Sequence, residues 1–407
     1  MTYGQTAAAR LQQIAQASAS SEGITRLPWT TEHRVALAEI TNWMEDAGLT
    51  VSLDAAGTLI GATPNPHGKP VLLIGSHQDS VPSGGAFDGI MGVALGCLAA
   101  KVLEARVDTL PFALEILAFA DEEGVRFPTA LIGPRALAGT LDPAALEMTD
   151  RDGVTMAEAM AGFGVDPSAA HALARDPATV FGYVELHIEQ GWVLETRDLP
   201  VAAVSAICGI SRFEVSIEGE TGHAGTVPMT GRRDALVAAA RIISLVAEEG
   251  ASLGTLRATV GQVVVRPGAV NAIPSDVRFP LEIRAESDAA REAFEARVLS
   301  RAGEICDKAD CRLTARRSYV QPAAACAPIL TRAFEDAMAD CGIAPLTIPS
   351  GATHDASAMA DLCPIAMLFV RCRGGISHRP DEHASAGDMG VAIDVLVRAI
   401  ERLGQTG

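Results

Sequence analysis

Carboxylates and histidines gather at three places in this 407-residue chain, and their types suit metal-assisted hydrolysis. The first is GSHQDSVPSGGAFDG, which carries His77, Asp79 and Asp88. The second is FADEEGVRF, with Asp121, Glu122 and Glu123. The third is a set of separated histidines: His187 in ELHIEQG, His223 in TGHAGTVPM and His378 in GGISHRP. Histidine and carboxylate without thiolate form a ligand set for zinc, manganese or cobalt that leaves positions for water and substrate. Paired ions bridged by a carboxylate are one known arrangement for such chemistry.

Each cluster also has a plainer reading. His77 and Asp79 are two residues apart just past an apolar run and can face the same way. The Asp79 carboxylate can then hold the far nitrogen of a metal-bound imidazole; the same residues, with Gly84 and Gly85, also serve an ordinary turn. Adjacent Glu122 and Glu123 at a buried strand end repel each other unless cations or donors compensate. One can ligate while its neighbour handles protons; the alternative is a solvated acidic loop, neutralised by Arg126. His187 fits a satisfied core histidine equally, and His378 a surface residue of a glycine-flanked loop. His33, His67, His171 and His383 have no motif context.

Hydrophobic periodicity shows which elements must position these residues. Helical spacing runs from Ala7 to Ile14 and from Val35 to Met44, and Gly48 ends the second helix. VSLDAAGTLIGAT holds short β-like runs. Val71–Gly75 and Leu114–Ala120 read as buried strands, and Ile90–Leu103 as a buried helix. Apolar strand, polar loop and helix in repetition predict an α/β domain with a largely parallel sheet. In such sheets functional residues gather past the carboxyl ends of strands, where both acidic clusters fall. Leu141–Thr179 reads as a helical excursion, and Tyr183–Gly191 returns to strand character.

A different rhythm starts near Cys208. SRFEVSIEGE alternates as a strand, Asp234–Glu249 is a helix, and TLRATVGQVVV and DVRFPLEIRAE are strands. Asp288–Ala309 is helical and CRLTARRSYV is a last strand, giving the β-α-β-β-α-β order of a ferredoxin-like unit. After Pro322 come a helix at Ile329–Cys341, a strand at Ile365–Val370 and a helix at Met389–Leu403. The expected fold class is α/β. A discontinuous catalytic domain, residues 1–208 and 323–407, is interrupted by an inserted ferredoxin-like α+β domain at 209–322.

Bulk composition bounds the function. The length exceeds what one core serves comfortably, in line with two domains. A net charge of −18 disfavours nucleic acids and anionic membranes as partners. The segment MTYGQTAAARLQQIAQ lacks a basic region followed by an apolar stretch, and no apolar run approaches the roughly 20 residues of a membrane span. The 8 cysteines form no C-x-x-C pair and read as free thiols of a reducing compartment, which predicts a cytoplasmic protein.

Taken in order, GSHQDSVPSGGAFDG, DEEGVRF, ELHIEQG, GHAGTVPM, AVNAIPS, GATHDA and GGISHRPDE resemble the motifs of the hydantoinase/carbamoylase amidases. That family includes N-carbamoyl-L-amino-acid, allantoate and ureidoglycolate amidohydrolases, within the binuclear aminoacylase and carboxypeptidase superfamily. The likeness spans nearly the whole chain. It implies two divalent ions per subunit (zinc, manganese or cobalt) on His77, Asp88, Glu123, His187 and His378, with Asp88 as the bridge and Glu122 as the general base. It further implies that His223, Asn271 and Arg284 of an inserted dimerisation and lid domain bind a small carboxylate-bearing substrate, with Gln190 as a further pocket residue. His223 would act across a homodimer, and the substrate would be a ureido compound such as allantoate or an N-carbamoyl-L-amino acid. FVRCRGGISH and TGHAGTVPM resemble the plant-type allantoate and ureidoglycolate enzymes more.

The chain also departs from the family pattern. Ile210 follows Gly209 where glutamine is usual, Gly133-Pro134-Arg135 replaces a G-S-R-like stretch, and Glu282 stands where aspartate is common. An apolar Ile210 keeps open a deacylase or dipeptidase acting on N-acyl amino acids. A non-catalytic dimeric binding protein of the same fold is a further alternative, although it has no need of Glu122 beside a ligand.

Overall fold

In the computed structural model, which describes residues 1–65, 67–254 and 256–405, side-chain caps start the first two helices. Thr2 and Thr30 accept N–H groups from the opening turns of α1 (Tyr3–Ile14) and α2 (Thr31–Asp46). Then follow β1 (Thr50–Leu53), β2 (Leu59–Ala62), β3 (Val71–His77), α3 (Ile90–Leu103) and β4 (Ala113–Phe119). Next are α4 (Ile132–Ala138), α5 (Met156–Phe163), β5 (Val180–Ile188), α6 (Val193–Arg197) and β6 (Val201–Ile207). The middle of the chain contributes β7 (Gly209–Glu218), α7 (Ala235–Ser252), β8 (Arg257–Thr259), β9 (Val264–Arg266) and β10 (Asp276–Ala285). It continues with α8 (Asp288–Lys308), β11 (Arg312–Gln321) and β12 (Ala324–Ala325). The last elements are α9 (Pro328–Asp340), β13 (Thr347–Ser350), α10 (Asp355–Met359), β14 (Ile365–Val370) and α11 (Ala386–Gln405).

The chain divides into two compact units. Unit 1 takes residues 1–205, 326–348 and the chain from 352 on; unit 2 takes residues 206–325 with a short return at 349–351. These limits lie a few residues from the expected ones, and the return at Pro349–Gly351 carries no sequence signal of its own.

Unit 1 is built on a sheet in the order β1-β2-β4-β3-β5-β14-β6. Its centre, β4, β3, β5 and β14, is parallel, whereas the flanking pairs are antiparallel. Leu72, Ile74, Ile116, Leu186 and Leu368 of these strands share one core with the buried helix α3. Gly92 lets α3 approach the sheet, since a Cβ there would overlap the Leu186 carbonyl. The stretch Leu141–Thr179 departs from expectation: only α5 is α-helical. Asp142-Pro143, Asp166-Pro167 and Asp176-Pro177 each start a short 3-10 turn instead, the aspartate capping an N–H two residues on.

Unit 2 has an antiparallel sheet in the order β11-β7-β10-β8, with β9 also beside β10. Strand β7 alternates between buried and exposed residues, and its buried Phe213, Val215 and Ile217 pack with Ala238, Ile242, Phe294 and Val298 of α7 and α8. The run TLRATVGQVVV, whose first residue lies outside the described residues, forms two short strands, β8 and β9, rather than one. Among the described residues, no helix is long and apolar enough to cross a membrane.

Candidate metal centre

Four parallel strands deliver the cluster from their carboxyl ends. His77 is the last residue of β3, Asp121–Glu123 follow β4, His187 is next to last in β5, and His378 lies on the loop after β14. The sequence placed His77 just past its strand and His187 within the strand-like Tyr183–Gly191; the ladder includes both, pairing His77 with Phe119 and His187 with Phe369. Pairing holds the backbone of each against one neighbouring strand.

Asp88 sits among these groups. Its Oδ1 is 2.9 Å from His187 Nε2 and 3.8 Å from His77 Nε2, while its Oδ2 is 3.2 Å from His378 Nε2. Glu123 Oε1 lies 4.0 Å from His378 Nε2 and has no hydrogen-bond partner despite being buried. His77, Asp88 and His187 offer ligand atoms within 4.8 Å of one another, and so do Asp88, Glu123 and His378. The two groups share Asp88.

Ring orientation tests whether cations fit. His77 Nδ1 is 3.0 Å from the Asp79 carbonyl oxygen, and His187 Nδ1 is 2.9 Å from the Ile188 carbonyl oxygen. A carbonyl only accepts, so each Nδ1 carries a proton, and whenever the ring is neutral its Nε2 is bare. His187 Nε2 and Asp88 Oδ1 are then two acceptors facing each other, a contact that a proton or a cation must hold together. Together with the unpartnered Glu123 oxygen, the donor set fits divalent ions. Gly89 makes room for it: its φ is 65°, and a Cβ would overlap the His77 ring.

Asp79 acts differently from expectation. Its carboxylate accepts the N–H groups of Glu122 and Glu123, each at 3.2 Å, and stays 3.5 Å from His77 Nδ1. The nearer acceptor for that nitrogen is the Asp79 carbonyl, because the carboxylate is turned toward the two amides of the acidic loop. Gln190 also differs: its Nε2 donates to Asp88 Oδ2 at 3.1 Å and to Ser377 Oγ at 3.0 Å, binding the cluster itself. Arg126 neutralises neither Glu122 nor Glu123 by contact, since it bonds Asp150 and the Pro28 and Trp29 carbonyls.

Acids dominate the electrostatics. Burial raises the Glu122 carboxyl well above the usual range; the charges of Glu123, Asp355 and Asp79 add to this, and His77 opposes it. Burial likewise pushes Glu123 up to about 7 against the pull of His77, with Asp88 and Asp79 adding to the rise. Asp88 moves the other way: burial would raise it, but hydrogen bonds with His187 and His378 hold it well below the carboxylate range. Packed anions of this kind need positive charge nearby.

Other residues escaped the sequence reading. His354 and Asp355 stand in the GATHDA motif, yet nothing in the spacing gave them a place. The His354 ring packs edge-on against His187 at 4.5 Å, and both Asp355 carboxylate oxygens are buried without a hydrogen-bond partner. Glu185 accepts Ser76 Oγ–H and the Ala356 N–H, each at 2.9 Å, tying β3 to α10. Arg26 is 2% exposed; it donates to the Gln78 carbonyl at 2.6 Å and to the Ile14 and Ala17 carbonyls at 3.2 Å. It thereby fixes the peptide between His77 and Asp79. A lone arginine gives no signal for that.

Unit 2 carries the other candidates. His223 and Asn271 are exposed neighbours: His223 pairs with Ala272, and the Ala224 N–H donates to the Asn271 carbonyl at 2.8 Å. His223 Nδ1 accepts the Gly225 N–H at 3.1 Å, so the neutral ring carries its proton on Nε2. Arg284 is half-buried and donates to Glu282 at 2.8 Å and to the Gly351 carbonyl at 2.6 Å. Ile210 is buried directly across from Arg284 in the β7–β10 register.

An α/β sheet whose parallel strands converge histidines and carboxylates around a shared aspartate defines a metal-dependent hydrolase. The chain belongs to peptidase family M20/M25/M40, whose model matches residues 73–402, and within it to the hydantoinase/carbamoylase amidases. It is 41% identical over 408 residues to an N-carbamoyl-L-amino acid amidohydrolase of Geobacillus stearothermophilus, covering 100% of both chains. It is 37% identical to an allantoate deiminase of Arabidopsis thaliana, covering 95% of this chain and 80% of that one. A solved hydantoinase/carbamoylase family amidase of Burkholderia multivorans superposes with a TM-score of 0.90 at 30% identity, covering 98% of each chain.

Proposed function

We propose that the protein hydrolyses a carboxylate-bearing ureido compound, an N-carbamoyl-L-amino acid or allantoate, with two divalent ions (zinc, manganese or cobalt) held by His77, Asp88, Glu123, His187 and His378. The observation that carries this is the sharing of Asp88 by two donor groups. Bound there, the ions would supply Lewis acidity and make a water easier to deprotonate. Glu122 is buried beside the cluster with a raised pKa, as suits a group that takes the water's proton and later hands it to the departing nitrogen. Asp79 aims both glutamates through their amides.

Unit 2 supplies recognition. Arg284 offers a forked donor for the substrate carboxylate, Asn271 adds a donor, and His223 has an Nε2–H to give to the developing oxyanion. The protein acts as a homodimer in which His223 serves the partner's site. Its 8 cysteines are all free, which supports a reducing, cytoplasmic setting. The two relatives differ little in identity and favour neither substrate; both substrates place a ureido nitrogen next to a carboxylate.

The test is ammonia release by Zn2+- or Mn2+-loaded protein from N-carbamoyl-L-amino acids, allantoate and ureidoglycolate. Turnover of at least one supports the proposal, and inertness toward all of them refutes it. Buried Ile210 beside Arg284 favours a second reading, a deacylase or dipeptidase, which predicts faster hydrolysis of N-acetyl amino acids or dipeptides than of any ureido compound.

A further inference from the structure

We propose that Glu382 is a positioning residue that fixes the Asp88 carboxylate in its bridging orientation; this rests on the reading of Asp88 as a ligand shared by two ions. Glu382 lies four residues past His378 and is 4% exposed. Its Oε1 accepts two backbone N–H groups, from Phe87 at 2.9 Å and from Asp88 itself at 3.0 Å. Its Oε2 is 3.2 Å from Ser377 Oγ, which lies 3.1 Å from Asp88 Oδ2. Gln190 Nε2 closes the set with donations to Asp88 Oδ2 at 3.1 Å and to Ser377 Oγ at 3.0 Å.

One carboxylate thus grips residue 88 at its backbone directly and shares with Asp88 Oδ2 the Ser377 hydroxyl, whose single proton serves one acid at a time. That matters because Asp88 has a demanding geometry, with one oxygen toward His187 and the other toward His378. A carboxylate held only at its Cα rotates about its last bond, and a rotated Asp88 serves one side of the cluster at the expense of the other. The packing is shaped for this grip. A Cβ on Gly85 would overlap the Glu382 carboxylate, so glycine there lets the acid reach the two amides. Pure packing would favour an apolar side chain, since a buried acid near another acid is costly unless it orders its surroundings. Loss of such partners behind a ligand weakens metal binding or activity by about 10–100-fold.

The test uses the metal-free full chain titrated with Zn2+ against a chromogenic chelator, followed by steady-state kinetics at saturating Zn2+. Glu382→Ala is expected to weaken Zn2+ binding by about 10–100-fold and to keep kcat low even when saturated, with KM nearly unchanged. Glu382→Gln retains Oε1 for both amides and is expected to recover most of both properties. A residue needed for packing alone would give no such separation of kcat from KM and no such rescue. Glu382→Ala protein that melts like wild type and keeps its Zn2+ affinity and kcat overturns the proposal. Should that variant fail to fold, Ser377→Ala decides: several-fold weaker Zn2+ binding supports the proposal, and unchanged binding and kcat overturn it. Wild-type protein that binds no pair of Zn2+ ions fails the two-ion reading itself, before Glu382 enters.

Discussion

Unit 1 buries three of its five candidate ligands, His77, Asp88 and His187 at 2%, 6% and 2% exposed, partly covers Glu123, and leaves His378 exposed on its loop. Unit 2 leaves His223 and Asn271 in the open and Arg284 only half covered. The contrast follows from what each set must meet. A cation site needs its geometry preset, because every ligand atom must point at the same spot before the ion arrives. Residues that receive a substrate have to stay accessible and become fully engaged only on binding.

Substitutions sharpen this contrast, beginning with the most severe. Asp88→Ala should abolish measurable turnover and strip bound metal, as read by elemental analysis; retained metal and turnover would show that the cluster does not depend on its shared member. Glu122→Gln should leave metal content unchanged and lower kcat by about 100- to 10,000-fold, the range for acid–base groups. Normal turnover in that variant leaves the mechanism without its base.

Changes in unit 2 should act on substrate rather than metal. Arg284→Ala is expected to raise KM for an anionic substrate by roughly tenfold or more, the loss of a charge-assisted hydrogen bond, with metal content intact. An unchanged KM would remove Arg284 from recognition. Mixing His223→Ala with Glu122→Gln protein should restore activity through hybrid dimers if the two units of one site come from different subunits; no recovery despite verified subunit exchange rejects a shared site.

The smallest effect lies far from the chemistry. His33 accepts the Trp29 N–H at 2.9 Å and stacks on Phe163 at 4.6 Å, and burial, with Arg26 and Arg34 adding, lowers its pKa to about 3. Unfolded, it takes up a proton near 6.5, so the unfolded state binds more protons between those values. Stability from this group is therefore constant above pH 6.5 and declines as pH falls below it, by about 2 kcal/mol at pH 5. Urea unfolding at pH 7 and pH 5 should show a smaller decline for His33→Gln than for wild type. Equal declines would mean that His33 is not held neutral.

Legibility in the sequence followed the same division between preset and incidental contacts. Apolar runs such as VLLIG and LEILAFA gave the central strands, and the alternation in SRFEVSIEGE gave the first strand of unit 2, because a buried face imposes its period on the chain. The Asp-Pro turns between Leu141 and Thr179 were hidden by helix-forming alanines, which local capping overrode. At the site, His77, Asp88, Glu123, His187 and His378 stood out through their side-chain types and the motifs that resemble the family's, and the fold brings them together. Arg26 and Glu382 did not, since each acts on backbone atoms brought near by the fold: the Gln78 carbonyl in one case, the Phe87 and Asp88 amides in the other. Gln190 was legible as a site residue, while its contact with Asp88 required coordinates.

The most direct test of the account is to measure bound metal and activity on the same purified sample during removal and return of the ions. The account predicts two divalent ions per chain, activity lost on chelation, and activity regained as Zn2+, Mn2+ or Co2+ is restored. Catalysis that persists in protein shown to be metal-free would contradict it.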